Sequence, residues 1–212
     1  MRRLDNKENL APAPQFTDMS YSGFDFPTKS LKITRPVLTT EEAVERKMAY
    51  LQPKVLGKKL FTYTIKNMSK TYIPYHFFSY DFDLKRKIGL RRQGSISFIY
   101  DLNAEFPFYF DQKEDTLNLT TISYNDVKEQ LTPIQGTYAD AKLKCERMLQ
   151  KRMYRFYRTD ASSCMSEKWL FFRPAIKLDL VYKGINYVRY AYLDNNETSS
   201  EPINAMKLRI ED

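Results

Sequence analysis

The stretch KTYIPYHFFSYDFDLKRK, Lys70 to Lys87, decides the fold, because it crowds seven aromatic or imidazole side chains into the eleven positions from Tyr72 to Phe82 and then turns basic. Phe78, Tyr80, Phe82 and Leu84 occupy alternate positions, and Ser79, Asp81, Asp83 and Lys85 occupy the others. An apolar face opposed to a polar one with period two is the pattern of a half-buried β-strand. Tyr75 and Phe77 interrupt the polar face, so the sequence marks them as candidates for a partner-binding surface rather than for the core.

The neighbouring segments carry compatible patterns. TTEEAVERKMAYL places Thr39 three residues before Glu42, a capping box, followed by Val44, Met48 and Leu51 on one helical stripe. KKLFTYTIK alternates through Phe61, Tyr63 and Ile65, and GSISFIYDL alternates through Ile96, Phe98, Tyr100 and Leu102. The order read from the sequence is helix, strand, strand, strand.

The same order returns about a hundred residues later. Thr137 and Asp140 stand as cap and third position of a second helix, with Ala141, Cys145, Met148 and Leu149 on its stripe; Pro174 opens an alternating strand as Pro74 does; and Asp194 ends a strand as Asp101 does. Three landmarks in one order at nearly one spacing indicate an internal repeat. The expected fold class is therefore α+β, two helix-plus-antiparallel-sheet units in tandem behind an N-terminal arm. The expected boundaries are a flexible arm at residues 1–38, a first αβββ-type unit with an extra hairpin at 39–124, and a second αβββ-type unit at 125–212. Between the units, FPFYF and TLNLTTIS read as strands and the residues before Pro133 as a short helical piece; a last short strand is expected at Met206 to Ile210.

Thr39, Glu42 and Ala43 with Tyr100, Asp101 and Glu105, and again Thr137, Asp140 and Ala141 with Tyr192 and Asp194, give a helix of T-x-x-[ED]-A form followed by strands ending in an acidic turn. In this the chain resembles the PepSY-type modules over most of residues 39–198. The resemblance implies small non-catalytic αβββ domains that bind or inhibit partners, and it supplies no site to transfer.

Composition sets the outer bounds. A chain of 212 residues can bury a core of its own, and 16 Tyr and 14 Phe against 6 Gly favour sheet. A formal net charge of +8 draws phosphate-rich or acidic partners, so nucleic acid and anionic membrane surfaces are both admissible. Cys145 and Cys164 stand without the spacing of a zinc ribbon or a disulfide framework and read as two free, buried thiols in a reducing compartment. MRRLDNKENLAPAPQ begins with positive charge but lacks the apolar run of a signal peptide, and a soluble, cytoplasmic protein is the default expectation. Lys7 to Pro12, KENLAP, matches the KEN-box degron recognised by a cell-cycle ubiquitin ligase, a short match that also arises by chance.

No catalytic, cofactor-binding or metal-binding residues are assigned. His76 is the only histidine and lies in phase with Phe78 and Tyr80, the position of a packed sheet histidine. The carboxylates near turns, among them Asp101, Glu105, Asp111, Glu114 and Asp115, match no calcium-loop spacing and read first as turn formers. The cationic stretches have more to offer: Lys85, Arg86, Lys87, Arg91 and Arg92 follow the opening strand, and Arg152, Arg155 and Arg158 alternate with Tyr154, Phe156 and Tyr157. With Tyr75 and Phe77 they form the candidate interaction surface. The leading expectation is a non-enzymatic binding protein whose protein partner docks on a sheet edge or on the basic surface; the alternative is a nucleic-acid-binding accessory protein that neutralises phosphates and stacks bases with these groups.

Overall fold

The computed structural model describes residues 29–84, 92–110, 117–157 and 162–194. In chain order the elements are β1 (Ser30–Thr34), α1 (Thr40–Leu51), β2 (Lys54–Val55), β3 (Lys58–Lys59), β4 (Thr64–Leu84), β5 (Arg92–Asp101), β6 (Phe106–Phe110), β7 (Leu119–Ser123), α2 (Tyr124–Val127), α3 (Tyr138–Tyr157), β8 (Ser162–Tyr182) and β9 (Ile185–Tyr192). An α+β protein is what this order makes. Its strands form one seven-stranded sheet in the order β6-β5-β4-β8-β1-β7, with β9 on β8, and β2–β3 is a separate hairpin.

The backbone of the sheet is an antiparallel pair of 21-residue strands, β4 and β8, hydrogen-bonded along nearly their whole length. The separate strands expected at Phe61–Ile65 and after Lys70 are therefore one: residues 67–70, which look like a connection, are extended and paired to β8 at Ile176 to Asp179. Pro74 and Pro174 sit mid-strand rather than at a strand mouth. Proline lacks the N–H that a ladder needs. Here the carbonyl of Pro74 accepts from Leu102 N (3.1 Å) and that of Pro174 from Leu193 N (2.9 Å), so each proline turns its main-chain polar side outward, where β5 and β9 are ending.

The two long helices, α1 and α3, lie on one face of the sheet. Ala141, Cys145, Leu149 and Met153 of α3 pack on Phe78, Tyr80 and Phe98, while Ala43 of α1 packs on Ile176, Leu178, Leu180 and Ala191. On the opposite face Ile73, Tyr75, Phe77, Ile99 and Phe171 are buried at mid-sheet, with Trp169 packed against them. Each buried aromatic side chain there removes apolar surface worth about 2 kcal/mol from water.

Contacts recur in pairs about the register partners Ile73 and Arg173. The ladder slips once at Lys66, between Ile65 and Asn67, and once at Ser166, opposite the Ser79–Tyr80 step, so the two bulges lie a hundred residues apart. Ile33 bridges Phe172 in parallel, and Leu131 bridges Tyr72 in parallel. Both helices begin on a threonine cap: Thr39 Oγ1 accepts from Glu42 N (3.2 Å) and Thr137 Oγ1 from Asp140 N (3.1 Å).

Two expected boundaries change. Residues 30–34, assigned to the N-terminal arm, form a strand between β8 and β7, because Leu31 and Ile33 alternate with Lys32 and are buried. The stretch from Lys151 to Tyr157, which its alternating basic and aromatic residues suggest as a nucleic-acid-binding loop, is helical and completes α3. The KEN-like stretch and the last strand expected at residues 206–210 lie outside the described residues.

Candidate interaction surfaces

Of the residues singled out as an interaction surface, Tyr75 and Phe77 are not on the surface. Tyr75 is fully buried, its hydroxyl 2.9 Å from that of Tyr192, and Phe77 is buried and stacked on Trp169 at 4.6 Å between ring centroids. They break the polar alternation because the second face of the sheet is covered here too. Lys85, Arg86, Lys87, Arg91 and Arg158 lie outside the described residues, and Arg92 opens β5. Arg152 lies over the ring of Tyr109, 4.5 Å from its centroid. Lys151, Tyr154 and Arg155 are exposed along the last turns of α3, at the i, i+3, i+4 spacing that shares one helix face.

A charged cluster that the residues' spacing does not reveal lies on the other face of the sheet, away from α3 and beside Ile73 and Phe171. Arg173 is fully buried and donates from Nε to Asp194 Oδ2 (2.7 Å) and from Nη2 to Oδ1 (2.8 Å), the bidentate geometry of a strong pair. Thr34 Oγ1 also donates to Asp194. The guanidinium lies 3.9 Å from the centroid of the Tyr192 ring. Burial is the main cause that raises the phenols of Tyr75 and Tyr192 well above the ordinary tyrosine range. The only hint in the sequence is phase: Arg173 alternates with Phe171 and Ala175 on a buried face. Enclosed this completely, the pair holds β1, β8 and the segment after β9 together and reaches no substrate.

Of the acidic residues near turns, Asp101 and Glu105 are described, and Asp111, Glu114 and Asp115 lie outside the described residues. Asp101 is buried and its Oδ1 accepts from the backbone N–H groups of Asn103 and Ala104, both at 2.8 Å, which closes the turn after β5. Glu105 pairs with Lys144 at 3.2 Å, and Lys144 also donates to the Tyr100 hydroxyl. His76 is buried against Phe78, 4.3 Å between centroids, on the α3 side. Cys145 is buried in the α3 seam, where desolvation pushes its thiol far up, whereas Cys164, expected to be buried too, is exposed. Among the described residues no group of three or more His, Cys, Asp or Glu side chains is placed to hold a metal ion.

Two open features remain. A groove of about 470 Å³ lies where β4, β5 and β8 end together, lined by Asp81, Asp83, Gln93 and Ser162 to Cys164. At the other end the sheet narrows to β4, β8 and β9. There α1 covers one face, and the other presents Asn67, Ser69, Lys177, Asp179 and Val188. The outer margin of β9 pairs with no strand among the described residues. Because Leu193 donates to Pro174 across this pair, the period of two turns the main-chain groups of Val188 outward; the Val188 carbonyl accepts instead from Arg189 Nη1 (2.8 Å). No helix among the described residues is long and apolar enough to cross a membrane.

Comparison of the chain with protein-family models, with curated proteins and with solved structures finds no match.

Proposed function

We propose that this is a non-enzymatic binding protein whose protein partner docks by adding a strand to the open margin of β9. The observation that carries this reading is the contrast between two sheet margins. The exposed start of β4 is protected against further pairing by Lys66, Lys70 and a bulge. The margin of β9 has Arg189 as its one charge, together with Ile185 and Val188, which are 57% and 44% exposed. An added strand gains main-chain hydrogen bonds along this margin, and alternate side chains give it specificity. The bulges at Lys66 and Ser166 and the parallel bridges at Tyr72 and Phe172, each recurring after a hundred residues, support reading the two halves as copies of one αβ unit, in keeping with the resemblance to PepSY-type partner-binding modules.

The test is capture of a partner by the full chain at moderate salt, followed by amide hydrogen exchange. The partner is expected to slow exchange at Val188 and Tyr190, and Val188→Pro, which removes only an outward N–H, is expected to abolish capture without unfolding the protein. Capture undiminished by Val188→Pro refutes the reading.

A second reading, nucleic-acid binding, is favoured by the face of α3 where Lys151, Tyr154 and Arg155 are exposed together. Titration with random oligonucleotides at two salt concentrations is expected to give a steep salt slope if this face carries the function, and an absence of binding at low salt removes it.

A further inference from the structure

The end of the molecule where the β2–β3 hairpin meets the β8–β9 turn is both basic and apolar. The two turns are neighbours: Phe61 lies 5.8 Å from Tyr182 between ring centroids, Tyr63 lies 5.1 Å from the same ring, and Lys66 Nζ donates to Asn186 Oδ1 at 3.0 Å. Residues 46–66 and 180–191 contain neither an aspartate nor a glutamate, and Lys54, Lys58, Lys59, Lys66 and Lys183 are all exposed.

Two local costs are concentrated in the hairpin. Leu56 forms its tip with φ +50°, in the left-handed region that a branched side chain disfavours, and is 98% exposed; Gly57 follows at φ +78°. Lys54 and Lys59 are register partners, so two like charges face each other across a ladder of two residues. An anionic surface with an apolar interior would cover the Leu56 side chain that this turn holds out and would neutralise the facing lysines. Around the tip, Leu60 (55%), Phe61 (42%) and Ile185 (57%) are also exposed.

We propose that this pole seats on the surface of an anionic phospholipid bilayer, with Leu56 and the apolar side chains around it entering the interfacial layer and the lysines meeting the lipid phosphates. Lysine stems can lie along the apolar layer while their ammonium groups stay at the phosphates. A nucleic acid would use the same charges, but it has no place for Leu56, Leu60 and Ile185, whose aliphatic side chains neither stack on bases nor pair with phosphate.

The experiment is co-sedimentation of the full chain with phosphatidylcholine vesicles and with mixed phosphatidylcholine–phosphatidylserine vesicles at low and moderate salt. Binding to the mixed vesicles alone is expected, weakening by about fivefold for each of Lys58→Gln and Lys59→Gln. Leu56→Asn suits the left-handed turn, so it is expected to keep or raise the melting temperature while weakening vesicle binding. The proposal is overturned if the unaltered chain fails to sediment with mixed vesicles at low salt, or if Leu56→Asn binds them as well as the unaltered chain. Equal affinity for a random DNA duplex, unchanged by Leu56→Asn, also overturns it and assigns the pole to nucleic acid.

Discussion

Ile73 and Arg173 are register partners at the middle of the β4–β8 pair, both fully buried on the same face of the sheet, one a hydrocarbon and the other a cation. Paired contacts fall symmetrically on either side of them, and at this point the symmetry of chemistry ends. Arg173 requires Asp194. Because Leu102 and Leu193 make the same bond to Pro74 and Pro174, the position that answers to Asp194 is Asn103, rather than Asp101, which the spacing in the sequence suggests. The N–H of Asn103 is taken up by Asp101.

Removing one member of this buried pair leaves the other charged and unpartnered in a dry site. Arg173→Met or Asp194→Asn is expected to cost about 3–5 kcal/mol, whereas Arg173→Met combined with Asp194→Leu recovers most of it. Urea unfolding of the three variants measures this, and a double variant no more stable than the singles shows the geometry, not the charge, to be decisive.

Gly94 lies opposite Phe82, and a methyl group added there would come within 2.9 Å of the tip of the Phe82 ring. Gly94→Ala is expected to destabilise the protein by about 1–3 kcal/mol, and Phe82→Leu in the same chain to relieve part of the loss. Denaturation midpoints that show no coupling between the two positions contradict this contact.

Burial is the largest cause that raises the phenols of Tyr75, Tyr80 and Tyr192 above the tyrosine range, and at Tyr192 it outweighs the opposing charge of Arg173. A raised acid is neutral in the folded state, so its contribution is complete below the unfolded value of about 10 and is lost as the pH rises beyond it. Tyrosinate absorbance on alkaline titration is expected to appear in two stages, exposed rings first and these three only with unfolding. A single reversible stage with native circular dichroism counts against it.

Glu42 is held below the ordinary carboxylate range by the backbone N–H of Thr39 first and its hydroxyl second. Its contribution is complete above the ordinary glutamate value and fades as the pH falls through the lowered one. Melting temperature against pH is therefore expected to fall less steeply on the acid side for Glu42→Gln than for the unaltered chain; parallel curves discount the cap.

Much of this architecture is legible in the residues. The alternation from His76 to Phe82, the two threonine caps and the recurrence of Pro74 as Pro174 all correspond to described features. What escaped has physical causes. Proline reads as a strand boundary, and only the outward turn of its main chain at the ends of β5 and β9 lets β4 and β8 run through it. Tyr75 and Phe77 look like surface aromatics because alternation reports one covered face, and here there are two. β1 is five residues long beside Pro27 and Pro36, too short for periodicity to stand out. The pairing of Arg173 with Asp194 spans strands that only the register brings together. The candidate surface was least legible, since exposure at a sheet margin depends on which strand lies last, and composition carries no such information.

The placement of the helices has a kinetic consequence. α1 belongs to the first half of the chain but rests on the β8–β9 hairpin, while α3 rests on β4 and β5. Neither half can hide its apolar surface until the other has been synthesised and brought alongside it. A ribosome that has released only residues through β6 thus presents a sticky, unfinished nucleus to its surroundings, and completion waits on closing contacts more than a hundred residues apart. The same interlocking offers two crowded chains an alternative route: each can lend its second half to the other's first.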